Sequence, residues 1–221
     1  MRLSEAEHRR VSDAIASAER STSGEIFCVL AAETDDYRAV PFAWAALSAL
    51  VLPPLLLLSD IVGPHLLTGG WQVGPADARS TVIVHAALSA LLFIATFLLV
   101  RVRAAKLALT PRSLKRAAAH RSAMESFLSH GIHVTDARTG VVIFLSMADH
   151  VAEIIADEAI HGKVSGDVWA DAVSTLLAGA KAGRIADGFV GAIEACGSVL
   201  AEHFPPRADN PNEIPDKLIE L

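Results

Sequence analysis

The chain has 221 residues, 52% of them hydrophobic and only 20% charged, with a mean hydropathy of +0.41. That length allows one medium domain with something added, or two small domains, and the apolar surplus exceeds that of an ordinary soluble domain. A net charge of −6 argues against a nucleic-acid binder, and two distant cysteines, Cys28 and Cys196, with no CxxC exclude a thiolate zinc site and a disulfide-dense scaffold.

Ser4 with Glu7 three residues on fits a capping box, and Val11, Ile15 and Ala18 recur at helical spacing, predicting a helix over 4–20. Ser21–Gly24 ends it. Glu25–Ala31 (EIFCVLA) is short, apolar and β-favouring, the pattern of a buried strand. A polar stretch at 33–38 leads into Pro41–Ser59, which holds no charge, and Ile61-Val62 extend the run past Asp60. Thr81–Val100 is a second uncharged run of similar length. A bilayer core needs roughly 20 apolar residues in helix. As buried helices of a soluble protein, both runs would be apolar on every face, with too little chain left to wrap them. The sequence therefore predicts a transmembrane hairpin with spans at about 41–62 and 81–100. Pro53-Pro54 lies inside the first, where a membrane helix tolerates it. Neither run has the position of a cleavable signal peptide.

Between the spans Arg79 alone is basic, whereas Arg101, Arg103, Lys106, Arg112, Lys115, Arg116 and Arg121 follow the second and Arg2, Arg9, Arg10, Arg20 and Arg38 precede the first. The asymmetry places both termini in the cytoplasm and the loop Asp60–Ser80 outside. The basic run also suits anionic headgroups of the inner leaflet, beside its plainer role as a topology determinant.

Past the hairpin, Thr110-Pro111 reads as N-cap and first helical position of a helix reaching about Ser129, stopped by Gly131. Val141–Leu145 (VVIFL) is a strand buried on both faces. Val151–Ala156 is its partner through a short turn. Trp169, Ala172, Val173, Leu176, Leu177 and Ala180 mark a helix over 167–182, and Phe189, Ile193, Cys196, Leu200 and Phe204 another over 185–203. The tail 207–221, with Pro211 and Pro215 among polar residues, reads as loose. A lone strand is not stable, so Glu25–Ala31 must join the later sheet. The expected architecture is α/β, a small central sheet sandwiched by helices and interrupted by a two-helix transmembrane hairpin. Residues 1–40 form its first part, 41–101 the hairpin, 102–206 its second part.

ThrSerGlyGluIle at 22–26, ArgThrGlyValValIlePheLeuSer at 138–146 and ValAlaGluIleIleAlaAsp at 151–157 resemble the strand segments of TPM-domain proteins. TrpAlaAspAlaVal at 169–173 and AlaGlyArgIleAlaAspGlyPheValGlyAlaIleGlu at 182–194 resemble that family's C-terminal helices. The ordered set, over roughly 4–206, is similar to the bacterial membrane-protein branch in which a hairpin splits the domain. The resemblance implies an α/β/α sandwich. For the wider family it implies phosphatase activity, divalent-cation binding, or roles in assembling and repairing membrane complexes. It carries no catalytic motif onto named positions of this chain.

Hard oxygen ligands suit Ca²⁺ or Mg²⁺, and Glu25, Asp35, Asp36, Asp149 and Asp157 are the carboxylates nearest the strand ends, with Glu158 beside the last. Solvated turn carboxylates are their plain reading, and for Glu25 a strand-edge charge. His120, His130 and His133 are loop or surface histidines rather than a ligand set, because Gly131 breaks the helix between the last two. His85 lies within the second span near its outer end, a place for packing or interface anchoring. Cys28 and Cys196 sit among apolar residues as inert core thiols, and neither GxSxG, Walker A nor GxGxxG occurs. Two functions follow as expectations. The first is a bacterial cytoplasmic-membrane protein whose cytoplasm-facing domain is an interaction or assembly module, its partners the lipid bilayer and other membrane proteins, with no nucleic acid. The alternative is a divalent-metal-assisted phosphohydrolase at the inner membrane surface.

Overall fold

A computed structural model of the chain describes residues 3–58, 78–132, 135, 138–164, 166–207 and 211–221. It divides into two compact units, one of residues 1–35 with 111–221 and one of residues 36–110.

The first unit is built on β1 (Glu25–Ala31) and β2 (Gly140–Ser146), which pair in parallel over all seven residues, Glu25 opposite Gly140 and Ala31 opposite Ser146. β3 (Val151–Ala156) returns antiparallel along β2 through a turn in which His150 takes φ 53°. Every residue of β1 and β2 is buried, because helices cover both faces. Strand side chains alternate between faces, and the core divides accordingly. Ile26, Cys28 and Leu30 of β1 with Val141, Ile143 and Leu145 of β2 pack among Val11, Ile15, Leu176, Phe189, Ile193 and Leu200. These come from α1 (Glu5–Glu19) and from two helices that follow β3. Phe27 and Val29, with Val142 and Phe144, face Ala119, Ala123 and Phe127, which belong to the helix that follows the hairpin. The result is a helix–sheet–helix sandwich, the α/β class expected from the sequence.

Local rules explain the elements. Ser4 Oγ accepts the Glu7 N–H and the Glu7 carboxylate accepts the Ser4 N–H, at 3.3 and 2.8 Å, which closes the capping box on α1. Gly131 and Gly183 end their helices at φ 71° and 72°, a conformation that favours glycine.

The second unit holds α2 (Ala39–Leu58) and α3 (Ala78–Val100), both long and apolar enough to cross a membrane. The loop expected over Asp60–Ser80 lies outside the described residues as far as Asp77. α2 and α3 pack on one another through the Phe42 and Phe97 rings, 4.8 Å between centroids, and a Ser48–Thr96 hydroxyl hydrogen bond of 2.9 Å. A short helix, α4 (Arg103–Leu109), follows and was not anticipated. Its residues RAAKLAL are good helix formers, but seven residues are too few for a helical periodicity to show. Thr110 caps the end of α4, and α5 (Arg112–Ser129) begins one residue after Pro111, its N-cap.

After β3 come α6 (Glu158–His161), a 3₁₀ turn at Gly166–Trp169, α7 (Ala170–Lys181) and α8 (Ile185–His203). The predicted helix over 167–182 is thus partly 3₁₀. α7 and α8 meet so closely that a Cβ on Gly179 would stand 2.5 Å from the Gly188 Cα.

The tail departs from expectation. Instead of lying loose, its last residues form β4 (Leu218–Glu220), parallel to β1, so that the sheet order is β3-β2-β1-β4. Ile214 and Leu218 are buried, and the Glu220 carboxylate accepts the Leu3 N–H at 2.9 Å. Composition marked the segment as polar, but two apolar residues at the right register suffice when a buried strand offers an open edge. Leu218→Ala should therefore lower stability by about 2–5 kcal/mol. Thermal unfolding of the full chain in detergent measures this, and an unchanged midpoint would mean the tail does not pack.

Candidate functional site: carboxylates at two ends of the sheet

β1 spans six residue steps, roughly 20 Å at about 3.3 Å each. Glu25 stands at its start, and the chain beyond its end carries Asp35. β3 runs back, so Asp157 returns to the Glu25 end, its N–H donating to the Gly140 carbonyl at 2.9 Å. Asp149 lies in the β2–β3 turn at the opposite end. The candidates within this unit thus divide between opposite ends of the sheet. Among the described residues no group of three or more His, Cys, Asp or Glu side chains is arranged to hold a metal ion.

Most of them have local work. Buried Asp149 Oδ2 accepts from Ser146 Oγ at 2.7 Å, Thr34 Oγ1 at 2.6 Å and Thr34 N at 3.3 Å, tying the loop after β1 to the β2–β3 turn. Asp157 Oδ1 caps α6 through the Glu158 N–H at 2.6 Å. Asp35 pairs with Arg121 at 3.3 Å, and Asp36, in the second unit, with Arg38 at 2.8 Å. Exposed Glu158 lies 3.2 Å from Arg138.

Glu25 is different. It lines a cleft of about 400 Å³ with Ala16, Glu19, Arg20, Pro206, Arg207, Asn212 and Asp216. Its carboxylate accepts the N–H groups of Glu213 and Ile214. Oε2 is buried without a hydrogen-bond partner among the described residues. Burial raises its pKa, and neighbouring Glu213 and Asp216 add to the rise. Glu19 accepts the Ile26 N–H at 2.8 Å. Burial, with Glu25 and Asp216 nearby, pushes its pKa up to about 9. Three carboxylates thus share a partly dry cleft, and Glu19 keeps its proton at neutral pH.

Glu19 and Asp216 escaped the sequence reading. Glu19 had a signal, since it continues the buried Val11–Ile15 stripe at the next i+4 position. Asp216 had none, lying in the segment read as loose.

The remaining candidates are settled by packing. His120 Nδ1 lies 2.5 Å from Glu153 Oε1 on the surface. The His130 ring rests on Phe27, 4.7 Å between centroids. His133 lies outside the described residues, and His85 sits half-buried on α3. Cys28 and Cys196 are buried, and burial pushes both thiols up, Cys196 to about 12. Trp169 and Phe189 are core residues.

A small mixed sheet between helix layers, closed at one end by an acidic cleft, defines an α/β/α sandwich domain. Residues 106–199 match the TPM domain family. β1 and α1 precede the matched stretch, yet β1 lies beside β2 in the sheet. Among solved structures, the fold is similar to the NMR structure of BA42 protein from the psychrophilic bacterium Bizionia argentinensis sp. nov.. The identity is 20% and the TM-score 0.56, with 100% of this chain and 96% of that one covered. No curated protein sequence matches this chain.

The raised Glu19 pKa has a pH consequence. A carboxyl titrating near 4.5 unfolded and about 9 folded favours the native state fully below the lower value. That contribution is lost progressively as pH rises toward the upper one. Glu19→Gln retains the acceptor for the Ile26 N–H and removes the titration. The thermal midpoint of the wild type should fall between about pH 5 and about pH 9, and the fall should shrink in Glu19→Gln. Parallel curves for the two proteins would contradict the assignment.

Proposed function

We propose that this protein is anchored in a bacterial cytoplasmic membrane by α2 and α3 and presents its TPM domain to the cytoplasm as an interaction or assembly module for membrane proteins. The observation that carries this reading is the surface of the two helices. Among the described residues thirteen large apolar side chains on them are exposed, including Leu50, Val82, Leu91 and Leu99, each at least 64% exposed. Leaving a large apolar side chain in water forgoes up to about 1.5–3 kcal/mol. Over thirteen partly exposed residues the loss rivals the whole stability of a domain, about 5–15 kcal/mol. A bilayer removes it. The Lys and Arg asymmetry supports cytoplasmic termini. The alternative, a metal-assisted phosphohydrolase, needs carboxylates converging on one point. The separation of Glu25 and Asp157 from Asp149 and Asp35, and the internal bonds Asp149 makes, support the module instead.

Topology can be tested in intact cells. Cysteine at Thr68 should react with an impermeant thiol reagent, and cysteines at Arg9 or Glu202 should not. Buried Cys28 and Cys196 supply little background. Labelling at Glu202→Cys would refute the orientation. Phosphomonoester hydrolysis by the purified protein that requires Mg²⁺ and is lost in Glu25→Gln would refute the module reading.

The insertion itself is testable. Arg121 reaches Asp35 nine residues into α5, so the first unit's chain ends at 35 and 111 stand about 15 Å apart by helix rise. A flexible linker of about 12 residues has an r.m.s. reach of roughly 17–21 Å. Replacing residues 36–110 with such a linker should give a soluble domain with one unfolding transition. Two transitions, or undiminished stability of residues 111–221 alone, would refute a split domain.

A further inference from the structure

Between Arg101 and Arg121 the chain carries seven Lys and Arg and no Asp or Glu, in a protein whose net charge is −6. The segment directly follows α3. It comprises α4, in the second unit, and the first half of α5, in the first.

The charges are not placed for helix stability. α4 opens with Arg103 and has no acid in its first turn. α5 likewise has no acid in its first turn, which carries Arg112, with Lys115 and Arg116 next. Helix dipoles favour the opposite sign at that end. Nor are most of them consumed by partners. Arg121 binds Asp35, and Lys106 Nζ donates to the Asp36 carbonyl at 2.6 Å. Arg101, Arg112, Lys115 and Arg116 form no ion pair among the described residues. Apolar side chains stand exposed between them: Val102, Leu109 and Leu114. Trp44 of α2, partly exposed, donates its indole N–H to the Leu109 carbonyl at 3.1 Å. An indole of this kind is characteristic of a membrane–water interface.

We infer that the segment Arg101–Arg121 binds anionic phospholipids of the leaflet from which α3 emerges. The unpaired cations meet the phosphates, and Val102 and Leu109 enter the headgroup–acyl boundary. This rests on the membrane reading above and adds a lipid preference to it. The partner fits by charge sign, and chain continuity keeps the segment at the surface. A neutral zwitterionic leaflet would satisfy α2 and α3 equally well but leave the four unpaired cations uncompensated.

The test uses the full chain reconstituted in phosphatidylcholine bilayers containing a trace of spin-labelled phosphatidylglycerol or spin-labelled phosphatidylcholine. Electron paramagnetic resonance separates the lipid held at the protein from the bulk. A basic residue near a charged surface favours an anionic lipid by about fivefold. Averaged over all boundary positions, the glycerol lipid should associate at least about twofold more strongly. The preference should collapse in about 0.5 M salt, which shortens the screening length well below 10 Å. It should also collapse in the variant combining Arg101→Gln, Arg112→Gln, Lys115→Gln and Arg116→Gln. Alkaline carbonate extraction of the same samples reports insertion separately. Retained protein with equal association of the two lipids overturns the lipid inference and leaves the anchor standing. A preference that survives in the quadruple variant overturns it too, by assigning the selectivity elsewhere. Protein released by carbonate overturns both.

Discussion

Everything in the first unit depends on β1 pairing in parallel with β2 although 108 residues separate them, from Ala32 to Thr139. A parallel pair always requires a crossover, and closing a long loop costs entropy that grows only slowly with its length. The hairpin makes that closure easier than its length suggests. Within the second unit, Lys106 near its end donates to the Asp36 carbonyl at its beginning. The hairpin thus leaves and returns at one place, and the first unit receives it as it would receive a short loop. Seven buried residues on each strand then reward the closure, with Ile26, Cys28 and Leu30 filling one core and Phe27 and Val29 the other.

Polar groups follow the same constraint. A strand buried on both faces leaves little water at its start, so a carboxylate there draws an internal hydrogen-bond donor or keeps a proton. Glu19 does both, accepting the Ile26 N–H and holding a proton to about pH 9. Glu25 draws the tail inward through the N–H groups of Glu213 and Ile214. That contact and the pairing of Leu218 with Cys28 cover the edge of β1, an edge that would otherwise invite strand addition.

What was legible in the sequence is what periodicity encodes. β1 and β2 are uninterrupted apolar runs, and the helices of the second unit are uncharged over runs long enough to cross a membrane. Glu25 was visible as a candidate, but its cleft was not, because two of its walls come from elements that local pattern does not announce. β4 is three residues long and exists only because β1 offers an edge; short strands owe their conformation to their neighbours rather than to intrinsic preference. Glu19 looks like any charged helix residue until its place in the Val11–Ile15 stripe is counted. α4, at seven residues, is too short for a helical periodicity to show.

The two units are made from much the same apolar residues, yet they distribute them differently. In α1 the apolar positions are confined to a stripe and exposed positions carry Glu5, Arg9 and Arg10. In α2 and α3 no charged residue occurs between Val40 and Leu58, or between Ser80 and Val100. Their only interhelical side-chain hydrogen bond among the described residues joins Ser48 to Thr96. A helix with one polar seam between neighbours and apolar surface elsewhere has nothing to offer water and no penalty to pay in lipid. Charge appears at Arg38 before α2 and at Arg101 after α3, where the apolar runs end. On the proposed reading this switch from uncharged to strongly basic chain marks the bilayer surface. A domain split by a hairpin is held at that surface by two chain crossings instead of one. On that reading two crossings in place of one limit how far the domain can swing from the surface, which would lower the entropy lost on docking to a membrane-bound partner. A single anchored terminus would not give an assembly module that advantage.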